Sequence, residues 1–308
     1  MIPYLGSKRD LAGKIYQVIK NRHPESKILV DLFCGGFAIS EYFYKNGWQV
    51  IANDKNKHVI ALLQKVIFDG LDEKEVTKFV PRETFFEVLN NHDKYDDWYV
   101  GFVQCVWSFG NNQRGYLFGK DVEPYKKAGH ELVINKDATF IKKLVKDIPQ
   151  KYIDGILQQE NWHKRRMALN KVTRKLKTRI FELQQLQQLE QLERLERLQQ
   201  LERLERLQQL QQLELKSLDY KKIKTPKNAV VYCDPPYKGT AEYKEYGFNH
   251  IEFWEWVRNK SKVHPVYISE YKAPDDFIKV LEFSRNSTLP GGNNKNQPNE
   301  CLFIHGGK

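Results

Sequence analysis

Residues 28–34 (Ile-Leu-Val-Asp-Leu-Phe-Cys) form a short apolar run that stops at Gly35-Gly36. A helical pattern follows from Phe37 to about Lys45. A second short run, Gln49-Val50-Ile51-Ala52, ends at Asn53-Asp54, and another helical pattern starts near Asn56. Strand, glycine turn, helix, strand and acid in that order open a βαβ unit, which commits its strands to a helix-covered parallel sheet. The same character returns late in the chain. Ala229–Cys233 reads as a buried strand, Phe253–Val257 as helix and Pro265–Ser269 as strand. Phe277–Glu282 reads as helix or strand, Gly291–Asn296 as a polar loop and Cys301–Ile304 as a last strand. The predicted fold is α/β: a Rossmann-like mixed sheet built from residues 1–84 and 216–308, interrupted by an inserted, mostly helical region.

The insert divides in two. Residues 85–182 are mainly helical in pattern. They hold a glycine-broken polar segment, Ser108 to Tyr116, and a stretch at 161–180 with eight Lys/Arg and no Asp or Glu. Residues 183–215 are of low complexity, with leucine at every third position from Leu183 to Leu213, eleven times. Its Leu, Gln, Glu and Arg are strong helix formers, and Glu190/Arg194, Glu193/Arg197 and Glu202/Arg206 are favourable i,i+4 pairs. The expectation is an α-helix. Its period fits no single seam: three residues turn an α-helix by about 300°, so the leucines spiral over the whole surface, whereas a coiled coil needs 3.5.

The net charge of +11 favours a polyanionic partner, nucleic acid first, with a generic solubilising surface as the alternative. The four cysteines, Cys34, Cys105, Cys233 and Cys301, include no CxxC pair, so neither a zinc site nor a disulfide framework is expected. No signal pattern opens the chain, and no apolar run nears the roughly 20 residues of a membrane span. A cytoplasmic protein, prokaryotic or phage-encoded, is the expectation.

Chemistry concentrates in four motifs. In Val230-Val231-Tyr232-Cys233-Asp234-Pro235-Pro236-Tyr237 a strand delivers an acid, two prolines and an aromatic to its carboxyl end, where open α/β sheets bind ligands. Consecutive prolines lock the backbone and donate no hydrogen bonds, so neighbouring carbonyls stand as rigid acceptors. An aromatic amine needs such acceptors. The adenine N6 lone pair is delocalised, and an Asp carboxylate with a backbone carbonyl accepting its two N–H bonds favours the pyramidal geometry that attacks a methyl group. Tyr237 would stack on the base. The bland alternative is a Pro-Pro turn with a surface Tyr. In Asp31-Leu32-Phe33-Cys34-Gly35-Gly36 the glycines allow close backbone approach and the acid suits the ammonium of a methionine moiety; an ordinary βα turn is the alternative. Asp54 suits a pair of ribose hydroxyls or, equally, a helix N-cap. Tyr4-Leu5-Gly6-Ser7-Lys8 alone reads as a surface turn as readily as a site.

Taken in order, Tyr4, Gly6 and Lys8, then Asp31, Phe33, Gly35 and Gly36, then Asp54, then Asp234, Pro235, Pro236 and Tyr237 resemble the Dam-type family of DNA adenine N6-methyltransferases. That family pairs an N-terminal aromatic-x-Gly-x-Lys with a D-x-F-x-G-G cofactor loop and D-P-P-Y. The resemblance implies S-adenosylmethionine as cofactor. It implies cofactor roles for Tyr4, Lys8 and Asp54, places Asp219 and Tyr220 around the cofactor adenine, and gives Asp234 a double role near the methionine moiety and the target amine. It extends to Ile268–Tyr271 as a later strand end and does not cover the leucine repeat. The implied reaction is direct transfer to an adenine flipped from double-stranded DNA, without metal and without Cys34 or Cys233 as nucleophile.

Lys164, Arg165, Arg166, Lys171, Arg174, Lys175, Lys177 and Arg179 would track phosphates, or form a solvated helix face. Asn111, Asn112, Gln113 and Arg114 are base-edge readers by type and turn formers by context. The repeat is a spacer or partner-binding helix on one reading and a near-neutral expansion on the other. A monomer or weak dimer is expected, with a cognate restriction nuclease as a further candidate partner. The rival functions are a ribosomal-RNA base methyltransferase, which also uses D-P-P-Y, and a non-enzymatic scaffold built on the leucine helix.

Overall fold

The computed structural model describes residues 2–176, 186, 189–202, 212–237, 248–283 and 299–307. Lys177, Arg179, the 291–296 loop, Arg206 and the leucines at 183, 204, 207 and 210 lie outside the described residues. In chain order the described helices are α1 (Ala12–Arg22), α2 (Ala38–Lys45), α3 (Lys57–Gln64), α4 (Glu73–Val76), α5 (Arg82–Asn90), α6 (Asp97–Val106), α7 (Glu123–Ile134), α8 (Thr139–Leu144), α9 (Gln150–Leu157), α10 (Trp162–Leu176), α11 (Glu190–Glu202) and α12 (His250–Ser261). The strands are β1 (Ile28–Asp31), β2 (Gln49–Asn53), β3 (Leu213–Lys216), β4 (Ala229–Cys233), β5 (Val266–Glu270), β6 (Phe277–Phe283) and β7 (Glu300–His305). The chain divides into two compact units, one of Gly6–Gln64 and Glu205–Lys308, the other of Ile2–Leu5 and Lys65–Leu204.

The first unit is the expected Rossmann-like mixed sheet, seven strands in the order β3-β2-β1-β4-β5-β7-β6. The first five are parallel, and β7 runs antiparallel to both β5 and β6. Central strand β4 is buried at all five residues, as a parallel strand covered on both faces must be. Helix α1 buries Ala12, Ile15, Tyr16 and Ile19, one stripe at helical spacing. Tyr16 meets Phe43 of α2 and Trp48 edge-on. Helix α12 seats Phe253, Trp254 and Val257 in the core with Val231, Cys233 and Ile268. The 277–282 segment, open between helix and strand in sequence, is strand β6, with a register irregularity between Lys279 and Leu281.

Strand β3 corrects the reading of the repeat as one helix. Leu213-Glu214-Leu215-Lys216 alternates with period two, and Leu213 ends the three-residue series while beginning a strand that pairs with Val50–Asn53.

The second unit is helical, with edges at Lys65 and Leu204; the sequence patterns place the insert at 85–182, followed by the repeat at 183–215. Helix α11, from the repeat, is its centre. Leu189, Leu192, Leu195, Leu198 and Leu201 are at most 1% exposed, which answers where a spiral of leucines goes: the helix is covered over most of its circumference, with Glu190 and Glu193 on the open face. Five leucines at three-residue spacing sweep about 240° of its circumference, and only a helix enclosed by others buries such an arc. Gly129 of α7 makes room, since a Cβ there would stand 3.2 Å from Leu186 and 3.4 Å from Leu189. Two polar residues are buried with the leucines. The Arg194 Nη1 donates to the carbonyls of Val106 (2.8 Å) and Ser108 (2.7 Å) at the end of α6, where helical carbonyls lack partners and a cation is favoured. His130 Nε2–H donates to Thr77 O (2.8 Å), leaving Nδ1 to accept from Gln191 Nε2 (3.5 Å). The expected Glu190/Arg194 pair is present at 3.6 Å.

Candidate active site

The site is assembled at the carboxyl ends of β1, β2 and β4. Strands β2 and β4 flank β1 on opposite sides, and such a reversal of strand order opens a crevice at that edge. Asp31 closes β1, opposite Tyr232 of β4, and Asp234 follows β4 directly. Asp31 is 1% exposed. Its Oδ2 accepts from the Ser40 hydroxyl (2.7 Å), while its Oδ1 is buried with no hydrogen-bond partner. Burial, with the charges of Asp234 and Asp54 adding and Ser40 opposing, pushes its pKa up to about 7.

The turn after β1 carries two left-handed residues, Gly35 (φ 42°) and Phe37 (φ 69°). A buried aromatic in that region is strained, on the order of 1–3 kcal/mol, and such strain persists only where its surroundings enforce it. Asp54 supplies part of that enforcement: its Oδ2 accepts from Gly35 N (2.9 Å) and its Oδ1 from Asn56 N (2.8 Å). The N-terminus of α3 is instead capped by Asn56, whose Oδ1 accepts from His58 N (3.1 Å). Asn53 ties the neighbouring loop down, donating to Leu32 O (3.0 Å) and Leu218 O (3.1 Å) and accepting from Leu218 N (3.0 Å). Phe33 lies among aromatic rings, 5.4 Å from Tyr220 and 6.0 Å from Phe253. The Asp219 carboxylate accepts from Lys221 N and holds the turn that carries Tyr220.

Across the crevice, Lys8 Nζ reaches Asp234 Oδ2 (3.1 Å), Glu300 Oε1 (3.3 Å) and Gly6 O (3.2 Å). Burial works against its charge, yet the two carboxylates outweigh burial and hold its pKa above the ordinary lysine value. The Asp234 side chain is 17% exposed, enough to meet a ligand, and its Oδ1 has no hydrogen-bond partner. Burial, with Glu300 adding and Lys8 opposing, pushes its pKa up to about 6. Tyr237 is turned inward at 8% exposure: its hydroxyl donates to Glu300 Oε1 (3.0 Å), Lys8 Nζ lies 4.8 Å from its ring centre, and Tyr271 meets it edge-on at 4.8 Å. The Cys34 and Cys233 thiols are pushed up by burial, which keeps them protonated.

The model of the D12 class N6 adenine-specific DNA methyltransferase family matches residues 4–274. The chain belongs to this family. Among curated proteins none matches it. As a D12 class methyltransferase the chain is an enzyme of DNA adenine methylation, which sets aside the ribosomal-RNA and scaffold alternatives.

Of the residues singled out from sequence in this D12 class methyltransferase, Lys8, Asp31, Phe33, Gly35, Gly36, Asp54, Asp219, Tyr220 and Asp234–Tyr237 fall in the sheet unit, whereas Tyr4 groups with the helical unit. Lys8 sits on the D-P-P-Y carboxylate. Glu300 was missed. Its signal was topological: an antiparallel last strand brings its first residue to the edge where the parallel strands end, and the sequence pattern started that strand at Cys301.

The DNA-contact candidates divide. Arg165 is 6% exposed, and its guanidinium donates to the carbonyls of Val133, Gln159 (3.2 Å) and Ile134 (3.4 Å), so a phosphate-tracking role does not fit it. Arg166 is spent on α11, donating to Glu193 (2.9 Å) and Glu196 (2.8 and 3.0 Å). Lys164 is exposed and paired with Glu160, while Lys171, Arg174 and Lys175 lie exposed along α10. The Ser108–Tyr116 segment is a closed loop: Ser108 bridges Tyr116, and Asn112 Oδ1 accepts from Arg114 N (2.9 Å) and Gly115 N (3.0 Å). Asn112 thus forms the turn, as the bland reading had it, and the loop carries Phe109 at 65% exposure.

Proposed function

We propose that this chain transfers the methyl group of S-adenosylmethionine to the N6 amine of an adenine flipped out of double-stranded DNA. One observation carries this reading: two carboxylate oxygens, Asp31 Oδ1 and Asp234 Oδ1, are buried without hydrogen-bond partners on neighbouring strands. Buried acceptors left unmatched are costly, and they fit ligand donors. A cofactor that is cationic at its ammonium and sulfonium suits a site where Asp31 lies near Asp54 and Asp234, and Asp234 near Glu300, with Lys8 paired to the last two. Asp31 would hold the ammonium, Asp54 the ribose hydroxyls, and Phe33 with Tyr220 the adenine; Gly35 and Gly36 would allow close approach. When bound, the cofactor supplies an electrophilic methyl group.

The chain's own residues prepare the nucleophile. Asp234 Oδ1 accepts one N–H of the target amine and a backbone carbonyl of the Pro235-Pro236 turn accepts the other, drawing the lone pair off the ring. With a pKa near 6, Asp234 is ionised at neutral pH and placed to take the proton that nitrogen loses. Tyr237 would stack its ring on the flipped base with its hydroxyl held on Glu300. Asn111, Gln113 and Arg114 would face base edges from the turn that Asn112 holds, and Lys164, Lys171, Arg174 and Lys175 the phosphates.

The test is Asp234→Ala with labelled cofactor and duplex DNA. Methylation should disappear, with transfer at least about 100-fold slower, while DNA binding by gel shift survives. An active variant would show that the catalytic carboxylate lies elsewhere.

A further inference from the structure

We propose that Glu300 is a positioning residue of the transfer step, holding Lys8 and Tyr237 on one carboxylate oxygen so that Lys8 occupies Asp234 Oδ2 and leaves Oδ1 to the target amine; this rests on the reading of Asp234 given above. Glu300 is 2% exposed, buried at the first position of β7. Its Oε1 receives both the Lys8 ammonium (3.3 Å) and the Tyr237 hydroxyl (3.0 Å). Lys8 in turn reaches Asp234 Oδ2 (3.1 Å). Three stretches remote in sequence, residues 6–8, the D-P-P-Y turn and the antiparallel strand, are therefore tied at one atom.

The arrangement sets two things. It divides the labour of the Asp234 carboxylate: Oδ2 faces a fixed cation and Oδ1 has no protein partner. It also anchors the Tyr237 hydroxyl at the end remote from the backbone, so the plane of the ring is set by β7 as well as by the prolines. Without Glu300 the lysine keeps Asp234 and the Gly6 carbonyl but loses its anchor on β7, and is free to swing across Oδ1. Displacements of about 1 Å at a reacting centre cost up to about 100-fold in rate.

The groups that face Asp234 are Lys8 from the N-terminal segment, Asp31 from β1, Tyr232 and Cys233 from β4, Tyr237 from the turn and Glu300 from β7. Glu300 repels the Asp234 charge, so neutralising it must move the Asp234 titration to lower pH.

The experiment compares wild type, Glu300→Gln and Glu300→Ala, using labelled S-adenosylmethionine on duplex DNA across pH 5–9, with a carboxyl-carbon NMR titration of Asp234 alongside. For Glu300→Ala, kcat should fall by about 10-fold to 100-fold, with cofactor affinity within a few-fold of wild type. Glu300→Gln, which still accepts from Tyr237 and Lys8, should recover most of that loss, and both the acid limb of its kcat profile and its Asp234 titration should lie at lower pH. A wild-type kcat in Glu300→Ala, or a Glu300→Gln with the acid limb and titration unmoved, would overturn the proposal. Should the wild type label no DNA, the functional reading fails by itself, and the NMR titration still decides whether Glu300 governs Asp234.

Discussion

Asp31 shows what a ligand site costs a folded chain. Its pKa rises from an ordinary carboxylate value to about 7, so between roughly pH 4 and 7 the native state holds a proton that the unfolded chain has released. Stability from this group therefore falls as pH rises through that window and levels off above it. Asp31→Asn removes the penalty. Its melting temperature should exceed that of wild type at pH 8, by the equivalent of about 1–3 kcal/mol, and the advantage should shrink towards pH 5. Calorimetric binding of S-adenosylmethionine should be lost at the same time. An advantage over wild type no larger at pH 8 than at pH 5 would show that the native carboxyl is ionised at little cost. Residues of this kind were legible in sequence because chemistry fixes their type and strand ends fix their place. Glu300 was not, because a lone glutamate before a short strand carries no spacing signal, and only the strand order brings it to Lys8.

At the scale of elements, the βαβ opening and the D-P-P-Y strand were readable because an apolar run bounded by glycine or proline has few other solutions. The leucine repeat was readable as a helix and opaque in its packing, since periodicity describes a surface and not what covers it. Burial of the leucines over most of the helix circumference gives a direct expectation. Leu195→Ala, at 1% exposure, should destabilise the helical unit by about 2–5 kcal/mol. Arg194→Met keeps the bulk but strands the carbonyls of Val106 and Ser108, and should cost about 2–4 kcal/mol. Arg194→Lys should fall between. Denaturant titrations of the three variants check this, and a neutral Arg194→Met would mean that those carbonyls find other donors. The repeat also has a screw symmetry: an advance of about 4.5 Å with a turn of about 300° maps one leucine onto the next. Leucines alone leave the helix free to slide by that step, so Gln191, through His130, and Arg194, through the end of α6, are the contacts that choose one position.

At the scale of the whole molecule, the sequence showed a sheet interrupted by an insert, and α3 runs to the edge of the sheet unit at Gln64 without a breaking residue. The charge of +11 makes the interaction with DNA electrostatic in large part. Affinity for duplex should fall linearly on a log–log plot against salt, by a slope of about −0.9 for each phosphate neutralised. Replacing Lys171 and Arg174 together should reduce that slope by about 2, and an unchanged slope would remove α10 from the DNA face. The order of strands has a further consequence, for the time course of folding. Leu29 pairs with Val230, so the strands carrying Asp31 and Asp234 are separated by the entire helical unit along the chain. Joining them closes a very long loop, and the loop shortens only as that unit condenses. Pulsed hydrogen exchange should find α11 protected before β1 and β4. The Asp31 and Asp234 carboxylates, which repel one another, would then meet only after the helical unit has formed.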